Sequence, residues 1–390
     1  MDKRAEIAIK YENSKHWIGG AYYIQNLIKA LNTVDDSEKP FIYIFCSNVE
    51  DYHNLIKETC YPYSKYVHDE LNMSLFSRIK DTVKAILNFY NFKSSNAIDL
   101  SGTDILFLYP AGNPSKVKDL KRSLGWIPDF QELHLPQLFS WKQRVKREMR
   151  NRLYAKSGMS MVFSSYDSVE DFRRFYPYSN CHTYVMHFAV SHPDFRDVNE
   201  DEVRMKYGIK GDYLFCANQF WEHKNHLMLF KAFKLALDKG FKCQLVCSGS
   251  LEGKKNNNYY NTIKKFIKDN DLNEKIHILG FIDRKEQLCL MKNSYAIVQP
   301  SLFEGWSTVV EDAKSLNKYI FLSNLKVHLE QAPTNVCYFN PNNENELADL
   351  FLKVKPEMRN YDYSENIKTF GKTFVQIIND YKANQTTKTI

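Results

Sequence analysis

Short apolar runs alternate with amphipathic stretches along most of this chain. In the first half, Glu6 to Tyr11 reads as a strand, a loop with Gly19 and Gly20 follows, Tyr22 to about Leu31 has helical spacing, and Phe41 to Cys46 is again strand-like. A strand, a helix and a strand in that order begin a parallel sheet with right-handed crossovers. Ile105 to Leu108 and Met161 to Ser164 add strands, and Asn72 to Phe92 has the spacing of a long amphipathic helix whose aromatics suit packing. The second half is more regular. Strands at Tyr213 to Cys216, Gln244 to Ser248, Ile276 to Leu279, Tyr295 to Val298 and Tyr319 to Leu322 alternate with helices near Asn225 to Leu237, Tyr259 to Asn270, Arg284 to Met291, Thr308 to Ser315 and Glu344 to Val354. The pattern predicts a doubly wound α/β fold.

At 390 residues the chain exceeds one ordinary core. The polar, proline-containing stretch Ser191 to Asp201 separates the halves. The expected organisation is a first domain over 1–190, a linker over 191–201, a second domain over 202–362, a helix within 363–382 (about Ser364 to Lys382), and a disordered tail over 383–390.

The stretch from Pro300 to Asp312, Pro-Ser-Leu-Phe-Glu-Gly-Trp-Ser-Thr-Val-Val-Glu-Asp, carries the most chemistry. It leaves a strand, turns at Gly305 and reaches Ser307 and Thr308, which suit the start of a helix carrying Glu311. The unpaired N–H groups and partial positive charge of a helix start favour a diphosphate. Glu304 and Glu311, acceptor-only when ionised, suit sugar hydroxyls.

This stretch resembles the paired-glutamate motif of the retaining, nucleotide-sugar-dependent glycosyltransferases of GT-B architecture, and within them family 4, the group 1 glycosyltransferases. The similarity runs from Ser301 to Glu311, through Lys318 to Ser323, to His328, Glu330 and Gln331; the family's two glutamates usually stand one residue further apart than Glu304 and Glu311. The resemblance implies two Rossmann-like doubly wound domains facing across a cleft, the first binding the acceptor and the second the nucleotide sugar. It also implies that the last helix crosses back to the first domain.

Further motifs fit that resemblance. In Ala217-Asn218-Gln219-Phe220-Trp221-Glu222-His223-Lys224-Asn225-His226, Lys224 matches the family's lysine on the diphosphate, and Gln219 stands where an arginine is usual, with Asn225 placed to cap the next helix. By resemblance, Gly19 and Gly20 form a loop close to the ligand. Ser248 and Gly249 border the diphosphate, Phe281 the nucleobase, and Gly305, Trp306, Ser307 and Thr308 offer backbone N–H groups. Glu304 is expected on the transferred sugar and Glu311 on the ribose. The stretch Gly125 to Pro136 is similar to the family's acceptor-side segment, but Pro128 fills the place of its histidine, so a role near the reacting sugar passes to Asp129, Glu132 or His134, or is absent.

Composition agrees with a folded globular chain, at 44% hydrophobic and 25% charged residues. The start, Met1 to Glu6, lacks the apolar stretch of a signal peptide, and no apolar run approaches the ~20 residues of a membrane span. Eight scattered cysteines without Cys-x-x-Cys read as reduced hydrophobes, so the expectation is cytoplasmic. Much of the net charge of +7 sits in Trp141 to Lys156, where seven basic residues face the lone acid Glu148. Trp141, Val145, Met149 and Leu153 recur at every fourth position there. This amphipathic helix either packs its stripe on its own domain or meets anionic headgroups or a phosphate-bearing acceptor, giving peripheral contact with the inner face of a membrane. No nucleic-acid motif accompanies it.

The function expected is retaining transfer of a sugar from a nucleoside diphosphate sugar to a hydroxyl of a glycan or lipid-linked saccharide, in surface polysaccharide synthesis. No Asp-x-Asp metal-binding motif is read in the chain, so no cofactor and no metal are expected. Two alternatives are a catalytically silent subunit that binds sugar nucleotides and a nicotinamide-dependent oxidoreductase. The second lacks a Gly-x-Gly-x-x-Gly after a strand.

Overall fold

A computed structural model describes residues 4–12, 18–68, 106–110, 123–251 and 258–386. The chain divides into two compact units, one of Met1–Ser191 with Ser364–Ile390, the other of His192–Tyr363. The boundary falls at the start of the expected linker. The linker's end is helical, because Asn199 caps a helix over Glu200–Tyr207 by accepting from the N–H groups of Asp201 and Glu202.

The first unit holds a seven-stranded sheet of β1 (Glu6–Lys10), β2 (Phe41–Cys46), β3 (Ser64–His68), β4 (Leu106–Pro110), β5 (Ser123–Ile127), β6 (Ser160–Phe163) and β7 (His182–Val185). Their order is β3-β2-β1-β4-β5-β6-β7 and every pairing is parallel. The sequence pattern misses β3, β5 and β7, whose apolar runs are short or mixed with polar residues. The expected helix at Asn72 to Phe92 lies outside the described residues.

Gly19 and Gly20 are not in a loop: the first helix spans Ile18–Leu31 and takes both into its first turn. The burial of Ile24, Leu27, Ile28 and Leu31 outweighs the roughly 1 kcal/mol that a helical glycine costs. The last helix, Ser364–Thr386, packs on the first one. A Cβ at Gly371 would lie 2.4 Å from the Ala30 carbonyl oxygen, so the close approach requires glycine. Tyr23 stacks on Trp126 at 4.4 Å and meets Phe370 edge-on at 5.8 Å. The helix continues to Thr386, beyond the expected start of the tail.

The basic stretch is a helix over Trp141–Ser157, started by a Ser140/Gln143 capping box. Its buried face is Asn151, Tyr154 and Ala155 rather than the expected apolar stripe. Trp141 is 68% and Val145 45% exposed, because the helix packs on its unit only toward its C-terminal half.

The second unit holds β8 (Tyr213–Ala217), β9 (Gln244–Ser248), β10 (Ile276–Gly280), β11 (Ala296–Gln299), β12 (Ile320–Ser323) and β13 (Val336–Phe339) in the order β10-β9-β8-β11-β12-β13, all parallel. Alternate strand residues supply two cores. Leu214, Cys216, Leu245, Val298 and Phe321 pack with Phe230, Phe233 and Leu347, whereas Phe215, Val246, Ile297 and Leu322 pack with Val203, Leu290 and Val310. Burial on both faces explains why these strands read as nearly continuous apolar runs.

Candidate functional site

The loops after β8 and β11, adjacent central strands of the second unit, bring Lys224 and Glu304 together: Nζ lies 2.6 Å from Oε1. Such strand ends are where open parallel sheets bind ligands. The Leu302 N–H donates to the His223 carbonyl at 2.8 Å, joining the loops directly. Asn225 stands in the left-handed region at φ 60° and does not cap the helix His226–Asp238 with its side chain. Its amide instead donates to the carbonyls of Pro300 (3.1 Å) and Pro341 (2.8 Å).

Glu304 Oε1 also accepts from Gln299 Nε2 at 2.8 Å and Ser301 Oγ at 2.7 Å. Its Oε2 has no hydrogen-bond partner among the described residues. Burial alone would raise the Glu304 pKa, yet the neighbouring cation holds it below the ordinary carboxylate value. That cation is Lys224, because the nearby histidines are neutral at pH 7. His223, buried and beside Lys224, is pushed down to about 4, and burial pushes His328 down to about 4 as well. His328 Nδ1 lies 2.8 Å from the Ser323 carbonyl, which fixes it as the protonated nitrogen.

Glu311 does not face an open site. Its Oε1 accepts from Gln331 (2.8 Å) and Lys314 (3.3 Å), and its Oε2 from the Tyr363 hydroxyl (2.6 Å). The next residue, Asp312, stands at the family's usual spacing from Glu304. Its Oδ1 accepts from Arg284 at 2.6 Å, while Oδ2 has no partner among the described residues. Ser307 occupies the N-cap position without a side-chain cap, and its N–H donates to Gln331 Oε1 at 3.1 Å. That N–H is therefore not free for a phosphate, in contrast to the expectation for the stretch from Gly305 through Trp306 to Thr308.

The nucleotide-side candidates surround the ends of β9 and β10. Ser248 is fully buried and its hydroxyl accepts from Gln287 at 3.0 Å, so it supports the Arg284 turn rather than a ligand. Gly249 has φ +149°, and a Cβ there would lie 2.1 Å from the Asn218 carbonyl oxygen, so this crossing admits only glycine. Phe281 is 72% and Trp221 43% exposed; they are the two exposed aromatic residues among the described residues of this unit, and both stand on C-terminal strand-end loops. Gln219, in the arginine position, shares the β8 loop with Lys224.

In the first unit, Asp129 accepts from the Gln131 N–H at 3.1 Å. Glu132 is buried and bound to Arg147 (2.8 Å) and Asn151 (3.3 Å), a structural pairing that removes it from the reactive candidates. His134 Nε2 lies 2.6 Å from Asp171 Oδ2 and keeps a third of its side chain exposed.

The pattern of apolar runs misses Asn218, Gln299 and Asp312. The available signal is a polar residue ending a buried strand, as in Ala-Ile-Val-Gln. The sequence also contains one Asp-x-Asp, Asp269 and Asp271, where the helix Asn258–Asp269 ends. Among the described residues no group of acidic, His and Cys side chains is arranged to hold a metal.

Residues 199–372 match the family model of glycosyl transferases group 1. Over 252 residues the chain is 21% identical to the O-antigen chain mannosyltransferase RfbU of Salmonella typhimurium; this covers 62% of the chain and 66% of that protein, just under two thirds of its length. The structure is similar to that of Anabaena Alr3699/HepE in complex with UDP and glucose, with TM-score 0.57, 14% identity and coverage of 99% of this chain and 100% of that one. It is similar to a glycosyltransferase from Rickettsia africae, with TM-score 0.60, 14% identity and coverage of 99% and 97%. Sucrose-phosphate synthase from Thermosynechococcus elongatus aligns with TM-score 0.58, 13% identity and coverage of 99% and 98%. These likenesses establish the fold as GT-B.

Proposed function

We propose, from the premise that this chain is a group 1 glycosyltransferase with its family domain over residues 199–372, that it moves a sugar from a nucleoside diphosphate sugar to a hydroxyl of a glycan or lipid-linked saccharide with retention at the anomeric carbon. The observation that carries the reading is the Lys224–Glu304 pair at the C-terminal ends of adjacent parallel strands. As the anomeric C–O bond breaks, negative charge develops on the diphosphate, and Lys224 with the start of the helix Thr308–Ser315 stabilises it. Retention requires the acceptor oxygen to enter from the face the diphosphate leaves, which brings the acceptor's proton beside the departing phosphate oxygens.

In this reading Glu304 Oε2 takes a hydroxyl of the transferred sugar. Asp312 Oδ2, held by Arg284, takes the ribose role that the engaged Glu311 cannot. Phe281 and Trp221 offer ring faces to the base and to the sugar. The protein works without a metal. The exposed Trp141, Val145 and neighbouring cations of the basic helix contact anionic lipid headgroups, keeping a cytoplasmic enzyme at the membrane. No helix among the described residues is long and apolar enough to cross a membrane. RfbU is by its name an O-antigen chain mannosyltransferase, and a surface polysaccharide is the corresponding product here.

A panel of UDP, GDP, UDP-glucose and GDP-mannose in a thermal-shift assay tests the reading. One of them should raise the midpoint, since ligand at a hundred times its Kd adds about 2.7 kcal/mol of stability. A midpoint unmoved by every member at millimolar concentration overturns it.

A further inference from the structure

Gln299 ends β11 as a fully buried amide in an otherwise apolar strand. Its Oε1 accepts from Asn218 Nδ2 at 2.6 Å, and Asn218, also buried, comes from the loop after β8. Its Nε2 contacts Glu304 Oε1 at 2.8 Å, Ser307 Oγ at 3.1 Å and Ser301 Oγ at 3.2 Å. The amide cannot be turned round, because Nε2 would then face the Asn218 N–H group and its oxygen would face the carboxylate. One side chain therefore ties together the β8 loop, the β11 loop and the start of the helix Thr308–Ser315.

The consequence falls on one oxygen of Glu304. With Lys224, Gln299 and Ser301 all directed at Oε1, that atom is saturated and Oε2 is left to face a ligand. We infer that Gln299 is a positioning residue of the nucleotide-sugar site, holding Glu304 so that Oε2 is presented to a hydroxyl of the transferred sugar. This rests on the function proposed above. A buried polar network is retained against its desolvation cost only where every member is satisfied, and Gln299 satisfies both ends of its amide.

Three measurements test it. Gln299→Met keeps the shape and removes the amide; nucleoside diphosphate affinity should stay within about threefold, while hydrolysis of whichever of UDP-glucose and GDP-mannose binds should slow by about tenfold or more. Gln299→Glu exchanges the amide donor for a second carboxylate beside Glu304, whose other titratable neighbours are Lys224, His223 and His328. At high pH two carboxylates repel, whereas at low pH the protonated Glu at 299 can donate as the amide does. The ratio of variant to wild-type turnover should therefore rise as pH falls, which a merely structural role would not produce. A ratio independent of pH, or wild-type turnover in Gln299→Met, overturns the inference. If Gln299→Met fails to fold, the Gln299→Glu ratio decides alone.

A carboxyl-carbon NMR titration of Glu304 needs no ligand and separates this inference from the function. The midpoint should rise in Gln299→Met, because a hydrogen bond to the charged form is lost. If the wild type binds no nucleotide sugar but the midpoint rises, the functional reading fails and Gln299 still positions Glu304. An unchanged midpoint sinks the positioning role whatever binds.

Discussion

Lys224 Nζ and Glu304 Oε1 stand 2.6 Å apart in a nearly buried ion pair, with side chains 16% and 10% exposed. Burying two charges costs free energy that their attraction only roughly offsets, so removing one partner leaves the other exposed to the full penalty. In the proposed reaction the pair also holds a cation beside the departing diphosphate. Lys224→Ala should weaken nucleoside diphosphate binding by tenfold or more, about 1.4 kcal/mol, and lower the thermal midpoint because Glu304 loses its counter-charge. Glu304→Gln should spare nucleotide affinity and depress turnover, because its expected partner is the sugar. Calorimetric titration of both variants with the nucleotide that stabilises the wild type checks the pair; equal affinities in wild type and Lys224→Ala would remove the lysine from the diphosphate.

The two adjacent acids of the helix Thr308–Ser315 should behave differently. Glu311→Ala strips Gln331, Lys314 and Tyr363 of a buried acceptor and should cost on the order of 2 kcal/mol of stability, with nucleotide affinity of the folded protein close to wild type. Asp312→Ala should weaken nucleotide binding, since Oδ2 is the oxygen left for a ribose hydroxyl. Chemical denaturation and calorimetry on both variants test the exchange. A stable Glu311→Ala that has lost the nucleotide would restore Glu311 to the ribose.

That exchange shows how far the sequence could be read. The second unit was legible almost element by element, because a parallel sheet buried on both faces writes itself as apolar runs punctuated by turns. The Lys224 and Glu304 loops were legible because each directly follows such a run. Orientation along the helix was not. Glu311 and Asp312 are neighbours about 100° apart and both are buried; that the oxygens of Glu311 rather than those of Asp312 are all engaged is decided by Gln331 and Tyr363, contributed from well downstream. The Trp141–Ser157 helix fails similarly. Its apolar spacing is present, but the face that packs is set by Glu132, which binds Arg147 and Asn151 and draws the Tyr154 side inward. Gly19 and Gly20 mislead because glycine marks loops on average, while tertiary packing of the helix that follows overrides the local preference.

Acid should destabilise the second unit in a defined window. His223 and His328 have folded values near 4 against an ordinary 6.5, so the unfolded chain binds more protons between those limits and stability rises with pH there. The contribution is fully present above pH 6.5 and lost as pH falls toward 4, by about 3 kcal/mol per histidine. Glu304, held below its ordinary value, loses its contribution in the same direction at still lower pH. His328→Asn keeps a donor for the Ser323 carbonyl without a titratable ring, and should flatten the fall in thermal midpoint between pH 7 and 4.5. A wild-type slope in that variant would mean that His328 does not titrate as its burial requires.

The helix Trp141–Ser157 is exposed along its N-terminal half. Its cations are not equivalent: Arg147 neutralises the buried Glu132, and Arg150 is half-buried against Asn151, so replacing either perturbs the fold. Lys142, Arg144 and Lys146 are exposed beside Trp141 and Val145, a cationic rim around two apolar side chains that no described residue of the first unit covers. Such a surface should bind anionic vesicles at low salt and release them as ionic strength rises, since exposed charges are screened beyond roughly 8 Å at physiological salt. Changing Lys142, Arg144 and Lys146 together to Gln should abolish that binding and leave the thermal midpoint within about a degree, because solvated charges contribute little to folding. Trp141→Ala should weaken binding at high salt as well as low, because its contribution is apolar area rather than charge. Flotation with neutral and phosphatidylglycerol-containing vesicles decides: wild-type protein that floats with neither at low salt has no membrane-facing helix, and its acceptor must then reach it through water.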